Sequence, residues 1–437
     1  MSVSKQSIGY GLIGLLALAL SVAVKTPYVA FLLILLGGCA FVMQEVFWGI
    51  GAVVFAYVFL PDVLALGAIV GLGIFYLLRK AFLGERLRPV TSGEGVLLAF
   101  GLLLIVATFT STYRSGSLRD LGIHAGGFFL YLMIREEVKD KNRAHILLSL
   151  FALAFLFIAL YGIRQYFTGV EIKREWVDVQ NNPDVKARIF SVFGNPNIFA
   201  EYLVMGIPIL IAMGWWSKRE FKSLVYFAGA GVGMIALGMT LSRGGWIGLL
   251  AAAAFFVYFI CKRLYLLAIP ALMGLVMVLP ESILRRFTSI TNFADSSTSY
   301  RFKIFSITGD VIHDHFLVGV GLGHLPFKRV FETYIRTMPI FHAHNTFLEI
   351  FAELGLVGFV LFLILLGTVF HRGHKHLLRS DDAFFKILGT GLLAGLFGVF
   401  VHGMFENVIY LTKITMTFWF MVSMVFALSR LQEEGRS

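Results

Sequence analysis

The chain changes character at His342-Ala343-His344-Asn345-Thr346-Phe347-Leu348-Glu349. Before this stretch runs the one long polar interruption in a very apolar sequence, residues 280–343; after it a new hydrophobic run opens at 346–370. A helix that crosses a bilayer needs about 20 predominantly apolar residues, and this run supplies them. Thr346 and Glu349 have capping-box spacing: a hydroxyl, then a Glu three residues on, both serving N–H groups that a helix start leaves unpaired. The reading predicts a helix from Thr346 with two histidines and Asn345 held at its mouth.

By the same length criterion, further spans fall at 8–24, 27–42, 46–60, 62–78, 93–111, 118–134, 145–167, 197–216, 224–241, 244–261, 264–280, 383–403 and 408–428. Several near the N-terminus are short, so the expected number is about 12–14. Composition agrees. The chain of 437 residues is 58% hydrophobic and 14% charged, against about 25% charged in a soluble domain. The fold class is therefore an all-α polytopic membrane protein. Cys39 and Cys261 both sit inside apolar runs, which argues against a disulfide framework or a zinc site. Val24-Lys25-Thr26-Pro27 is no small-residue cleavage site, so 8–24 reads as a retained span. Four segments follow: N-terminal spans at 1–167; spans with a first external loop and a Ser-Arg-Gly turn at 168–280; a long external loop at 281–345; and C-terminal spans at 346–437.

Lysine and arginine concentrate in short cytoplasmic loops of membrane proteins. Alternating from an inside N-terminus, the inside loops hold Arg79, Lys80, Arg86 and Arg88; Arg135, Lys139, Lys141 and Arg143; Lys218, Arg219 and Lys222; Lys262 and Arg263; and Arg372, Lys375, Arg379 and Lys386. The net charge of +11 is thus accounted for mainly by topology, and no nucleic-acid partner is expected. The segments 168–196 and 280–343 and the turn Ser242-Arg243-Gly244-Gly245 then lie outside. Basic residues there run against the rule and call for a reason.

Arg188 leads into Phe193-Gly194-Asn195-Pro196-Asn197. Asn195 reads as an N-cap and Pro196 as a first helical residue, which presents unpaired N–H groups at the outer surface; an ordinary capped helix with a surface arginine is the competing reading. Arg243, in a glycine-flanked turn, is either a ligand-facing cation or one snorkelling to the interface. Arg301 follows Ser296-Ser297-Thr298-Ser299-Tyr300. Tyr300, Ile304, Ile307 and Val311 share a helical face, so the segment reads as an amphipathic surface helix with Arg301 in its first turn, and an arginine at a helix N-terminus makes an anion site. Gly319-Val320-Gly321-Leu322-Gly323-His324 neither follows a strand nor precedes Lys-Ser/Thr, so it reads as a sharp loop back to the membrane rather than a phosphate loop. No carboxylate accompanies His313, His315, His342 and His344 at metal-ligand spacing, so no metal is expected. His344 is the candidate base, because an unperturbed imidazole titrates near pH 6.5. Arginines at one outer surface with a histidine base suit a diphosphate leaving group and an attacking hydroxyl.

These residues resemble the O-antigen ligase and O-antigen polymerase superfamily of bacterial membrane glycosyltransferases. The likeness rests on Arg188 with Phe193-Gly194-Asn195-Pro196-Asn197, Ser242-Arg243-Gly244, Arg301 ahead of Gly319-Val320-Gly321-Leu322-Gly323, and His344-Asn345-Thr346-Phe347-Leu348-Glu349 followed by Glu353-Leu354-Gly355, in the family's order over about half the chain. The resemblance implies a C-type glycosyltransferase architecture and metal-independent, cofactor-free, inverting transfer from an undecaprenyl diphosphate-linked glycan. The acceptor would be lipid A–core or another glycan, and the site would lie at the outer face of the bacterial cytoplasmic membrane among membrane lipids. His344 would be catalytic. Arg188, Arg243 and Arg301 would hold the diphosphate, with Asn195, Asn197 and Asn345 beside it. A transporter of an anionic solute or glycolipid is the alternative from another class. It would need charges or broken helices near mid-membrane, whereas the spans read as continuous and only Arg164 and Lys413 interrupt them. A scaffold in a wall-polymer complex would leave the external arginines unexplained.

Overall fold

The computed structural model describes residues 45–169, 187–217, 221–264, 296–338 and 340–435. The expected spans 8–24, 27–42 and 264–280 lie outside these residues. The described chain is helical throughout: α1 (Val46–Ala56), α2 (Asp62–Leu83), α3 (Ser92–Phe109), α4 (Arg114–Glu137), α5 (Lys141–Thr168), α6 (Pro196–Trp216), α7 (Phe221–Thr240), α8 (Arg243–Ile260), α9 (Ser296–Asp314), α10 (His324–Tyr334), α11 (Thr346–Gly373), α12 (Ala383–His402) and α13 (Thr412–Glu434). Among them α2, α5–α8 and α11–α13 are long and apolar enough to cross a membrane. α1 is shorter than the expected 46–60 span, because the chain turns at 57–60.

α13 is buried along most of its length between Thr412 and Ser429, with Trp419 fully enclosed. α6, α8 and α12 pack closely because small residues face each other. A Cβ on Gly398 would lie 2.6 Å from the carbonyl oxygen of Gly248, and one on Gly395 would lie 2.5 Å from that of Met205. Without a hydrophobic effect between helices in lipid, such close backbone approach is what drives their association.

The two ends of the bundle differ. Where α3, α5 and α12 begin and α4, α11 and α13 end, ion pairs tie the helices together: Arg135 with Glu94 and Glu136, Lys141 with Asp382, Arg88 with Glu434 at 3.1 Å and Arg372 with Glu433 at 2.9 Å. At the opposite end α9 and α10 pack against each other and against α11, with a small core of their own. Ile304, Val311, Phe327, Phe331, Met338, Ile340 and Ala343 are buried in it. Ile304 and Val311 take the face expected of them, but Tyr300 is exposed. The glycine-rich stretch 319–323 does not return the chain to the membrane; it leads into α10, and the return comes at α11.

α11 is broken, contrary to the expectation of continuous spans. Gly355 has φ 64°, ψ −171°, a conformation that essentially only glycine adopts. The break frees carbonyls, and the loop before α10 takes them up. Val320 N–H donates to Ala352 C=O and Gly321 N–H to Glu353 C=O, each at 2.9 Å, while Leu356 N–H donates to Phe316 C=O at 2.7 Å. Backbone groups freed by a break inside a span persist where other protein groups satisfy them. Arg164 and Lys413 stand in the last turns of α5 and the first turn of α13, not at mid-span.

Candidate functional site

His344 lies just outside α11, and its cap differs from the predicted box by one residue. Asn345 is the N-cap: its Oδ1 accepts from the N–H groups of Phe347 and Leu348 at 2.9 and 3.0 Å, and its Nδ2 donates to the Met404 carbonyl at 3.0 Å. Thr346 is the first helical residue and is buried. Its N–H donates to Gly403 C=O at 2.7 Å, and its hydroxyl donates to Glu406 C=O and accepts from Val408 N–H, both at 3.0 Å. The start of α11 thereby fixes the loop between α12 and α13, and that loop carries Glu406. The expected span 408–428 begins only at Thr412 for the same reason.

Glu406 is the centre of the site. His344 Nδ1 is 2.8 Å from Oε1 and His342 Nε2 is 3.3 Å from the same oxygen. Asn197 Nδ2 donates to Oε2 at 2.9 Å, and Arg301 reaches Oε2 at 3.8 Å. Arg188 stands behind Asn197, donating to its Oδ1 at 3.0 Å and to Thr240 C=O at 2.8 Å. Burial alone would raise Glu406, but His344, hydrogen-bonded to it, and the Arg301 cation hold it well below the usual carboxylate range. An ionised Glu406 accepts from His344 Nδ1–H, so Nε2 of His344 carries the lone pair. His344 is a quarter exposed and Glu406 nearly closed off, so the free nitrogen belongs to the accessible member. The backbone of His344 is in the left-handed region at φ 51°, strained for a residue with a side chain.

His342 is neutral for two reasons. Burial pushes its imidazole down to about 3, the pull of Glu406 notwithstanding. Its Nδ1 accepts the His344 backbone N–H at 3.1 Å, so the proton is on Nε2, facing Glu406. Tyr410 packs on the same ring at 4.9 Å between centroids, and burial raises its phenol well above the ordinary value. A carboxylate does therefore accompany the histidines, 62 residues downstream. His342, His344 and Glu406 place three ligand atoms within 4.8 Å of one another. A metal on His342 Nε2 would displace the proton that the Nδ1 bond assigns there, so the donor set suits hydrogen bonding rather than a cation.

Asn195 caps α6, accepting from Asn197 N–H at 2.8 Å with Pro196 at the first helical position, as read from the sequence. Arg243 is the first residue of α8, and the next residue packs against His402: a Cβ on Gly244 would lie 2.6 Å from His402 Cδ2. Arg301 is not in a first turn, because α9 is already running at Ser296; its link to the site is Glu406, not a helix N-terminus. Glu406 itself escaped sequence reading. Its signal was a lone acid, Phe405-Glu406-Asn407, between two apolar runs at the end where the arginines gather.

An all-α, multi-pass membrane protein with an imidazole–carboxylate pair at one end of its bundle is the class that fold and site define. Residues 228–363, less than half of the chain, match the family model described as O-antigen ligase, a likeness to the O-antigen ligase superfamily. The match supports a glycosyltransferase-like enzyme of O-antigen ligase or polymerase type in general. It takes in Arg243, Arg301, His342 and His344; Arg188, Asn195, Asn197 and Glu406 fall outside it. No curated protein matches the chain.

Proposed function

We propose that the chain transfers a glycan from undecaprenyl diphosphate to an acceptor hydroxyl at the outer face of the bacterial cytoplasmic membrane, as an O-antigen ligase does. The observation that carries this reading is the 2.8 Å contact between His344 Nδ1 and Glu406 Oε1. It orients an accessible imidazole with Nε2 free to accept a proton, the imidazole–carboxylate logic of general-base catalysis. The acceptor oxygen attacks the anomeric carbon, the bond from that carbon to the diphosphate oxygen breaks, and the acceptor proton passes to His344 Nε2. One displacement inverts the anomeric centre. The leaving diphosphate takes the bonding pair, and Arg188, Arg243 and Arg301 supply fixed positive charge for it without a metal. The acceptor is lipid A–core or another glycan; a second lipid-linked glycan, as for a polymerase, uses the same chemistry.

The test is complementation of a deletion strain read on a glycan gel. His344→Ala should lose transfer by at least about a hundredfold, as removal of a positioned general base does, while the protein inserts normally. Wild-type glycan from this variant refutes the assignment. In the deletion itself, loss of all capped product identifies a ligase, and accumulation of single repeat units a polymerase.

A further inference from the structure

We propose that Glu349 and Glu353 are positioning residues for His344: two buried carboxyl groups, one turn apart, that hold the histidine loop and the glycine loop to the same two turns of α11. The proposal rests on His344 being the base. Both residues are buried, at 1% and 7% exposure, so neither serves solubility. The predicted capping-box role does not account for Glu349, since its carboxylate does not reach back to its own helix cap. Oε2 instead accepts the N–H of Ala343, the residue between His342 and His344. Glu353 Oε2 accepts the N–H of Gly323 at 2.9 Å, at the end of the glycine loop. Spacing of i,i+4 puts the two carboxyl groups on one face of the helix.

What they hold is backbone in unusual conformations. His344 sits at φ 51° and Gly323 at φ 95°, so both loops contain backbone that surrounding contacts must over-determine. Gly323 cannot carry a side chain, because a Cβ there would fall 2.1 Å from Asp120 Oδ2. The cavity beside Glu353, shared with Asp120, His124 and Tyr410, measures about 10 Å³. That is space for no more than a water, so Glu353 meets no substrate there. The clamp acts through hydrogen-bond acceptors, and an amide oxygen can replace a carboxylate oxygen in that role.

The experiment is hydrogen exchange on the full-length protein in nanodiscs, combined with complementation by Glu349→Gln, Glu349→Ala, Glu353→Gln and Glu353→Ala. In the wild type the amides of Ala343 and Gly323 should exchange slowly, although both lie in loops; rapid exchange there overturns the clamp before any variant is made. Alanine at 349 should speed exchange at 340–346, and alanine at 353 at 319–323. Each should lower transfer about a hundredfold, the effect of a misplaced catalytic group. Glutamine should restore both readouts to within about threefold of wild type, because the acceptor is kept. Glutamine variants as inactive as alanine, with protection intact, would mean that charge rather than position matters, and the proposal would fail. Loosened loops with undiminished transfer would mean that the carboxyl groups hold the loops without positioning the base, and the proposal would fail, whereas the base itself is tested separately by His344→Ala.

Discussion

At the scale of single residues, His344 was legible because a helix-start signal and two histidines stood together where the chain turns polar to apolar. Glu406 was not, because its partners are 62 residues upstream and only the packed bundle brings them to it. His342 was an unexplained neighbour in the sequence; it proves to be the buried member of the same network, and its state makes stability depend on pH. The unfolded chain protonates this imidazole as pH falls through about 6.5. The folded chain does so only at about 3. Between those values the unfolded state binds more protons, so the contribution is fully present above about 6.5 and is lost progressively as pH drops. Glu406, held low in the folded state, adds loss of the same sign below the ordinary carboxylate range. Relative to His342→Gln, the wild type should therefore lose thermal stability as pH falls from about 7 to about 4.5. Superimposable profiles for the two proteins would show that His342 does not titrate against folding.

At the scale of elements, most helices were legible from runs of apolar residues, because eight spans of this length leave little choice in a bilayer. What the sequence hid was the break in α11. A glycine inside an apolar run looks like any other helical glycine, and only the approach of a distant loop shows what it is for. Gly355 and Gly367 make the contrast on one helix. A Cβ at 355 would need φ 64° and would meet the Leu317 carbonyl carbon at 2.4 Å, whereas one at 367 meets nothing within 4 Å. Gly355→Ala should cost at least about 2 kcal/mol, since backbone strain and a clash with main chain act together. Gly367→Ala should be neutral or slightly stabilising, because alanine is the better helix former. Thermal unfolding of the two purified variants decides it. Equal stabilities would mean that the break in α11 is not a fixed feature of the fold.

At the scale of the whole molecule, the distribution of charge separates the two ends. The end with Arg135, Arg143, Lys141, Arg372 and Arg430 is dense in cations, each with a carboxylate or carbonyl nearby. Cytoplasmic loops collect such residues, so this end should face the cytoplasm. The helices alternate, so the same rule predicts that the His344–Glu406 network, at the opposite end, faces outward. A glycan donor displayed outside the cell could be reached only there. Single cysteines test the orientation in a background with Cys39 and Cys261 replaced by Ala. Thr337, after α10, and Asp381, before α12, are both exposed and stand at opposite ends. In cells with a permeable outer barrier but an intact cytoplasmic membrane, an impermeant maleimide should label Thr337→Cys and leave Asp381→Cys unlabelled until the membrane is broken. The reverse pattern would put the candidate site in the cytoplasm. It would rule out transfer between extracytoplasmic glycans while leaving the hydrogen-bonded geometry of His344 as it is, so the chemistry of the site and its address are tested independently.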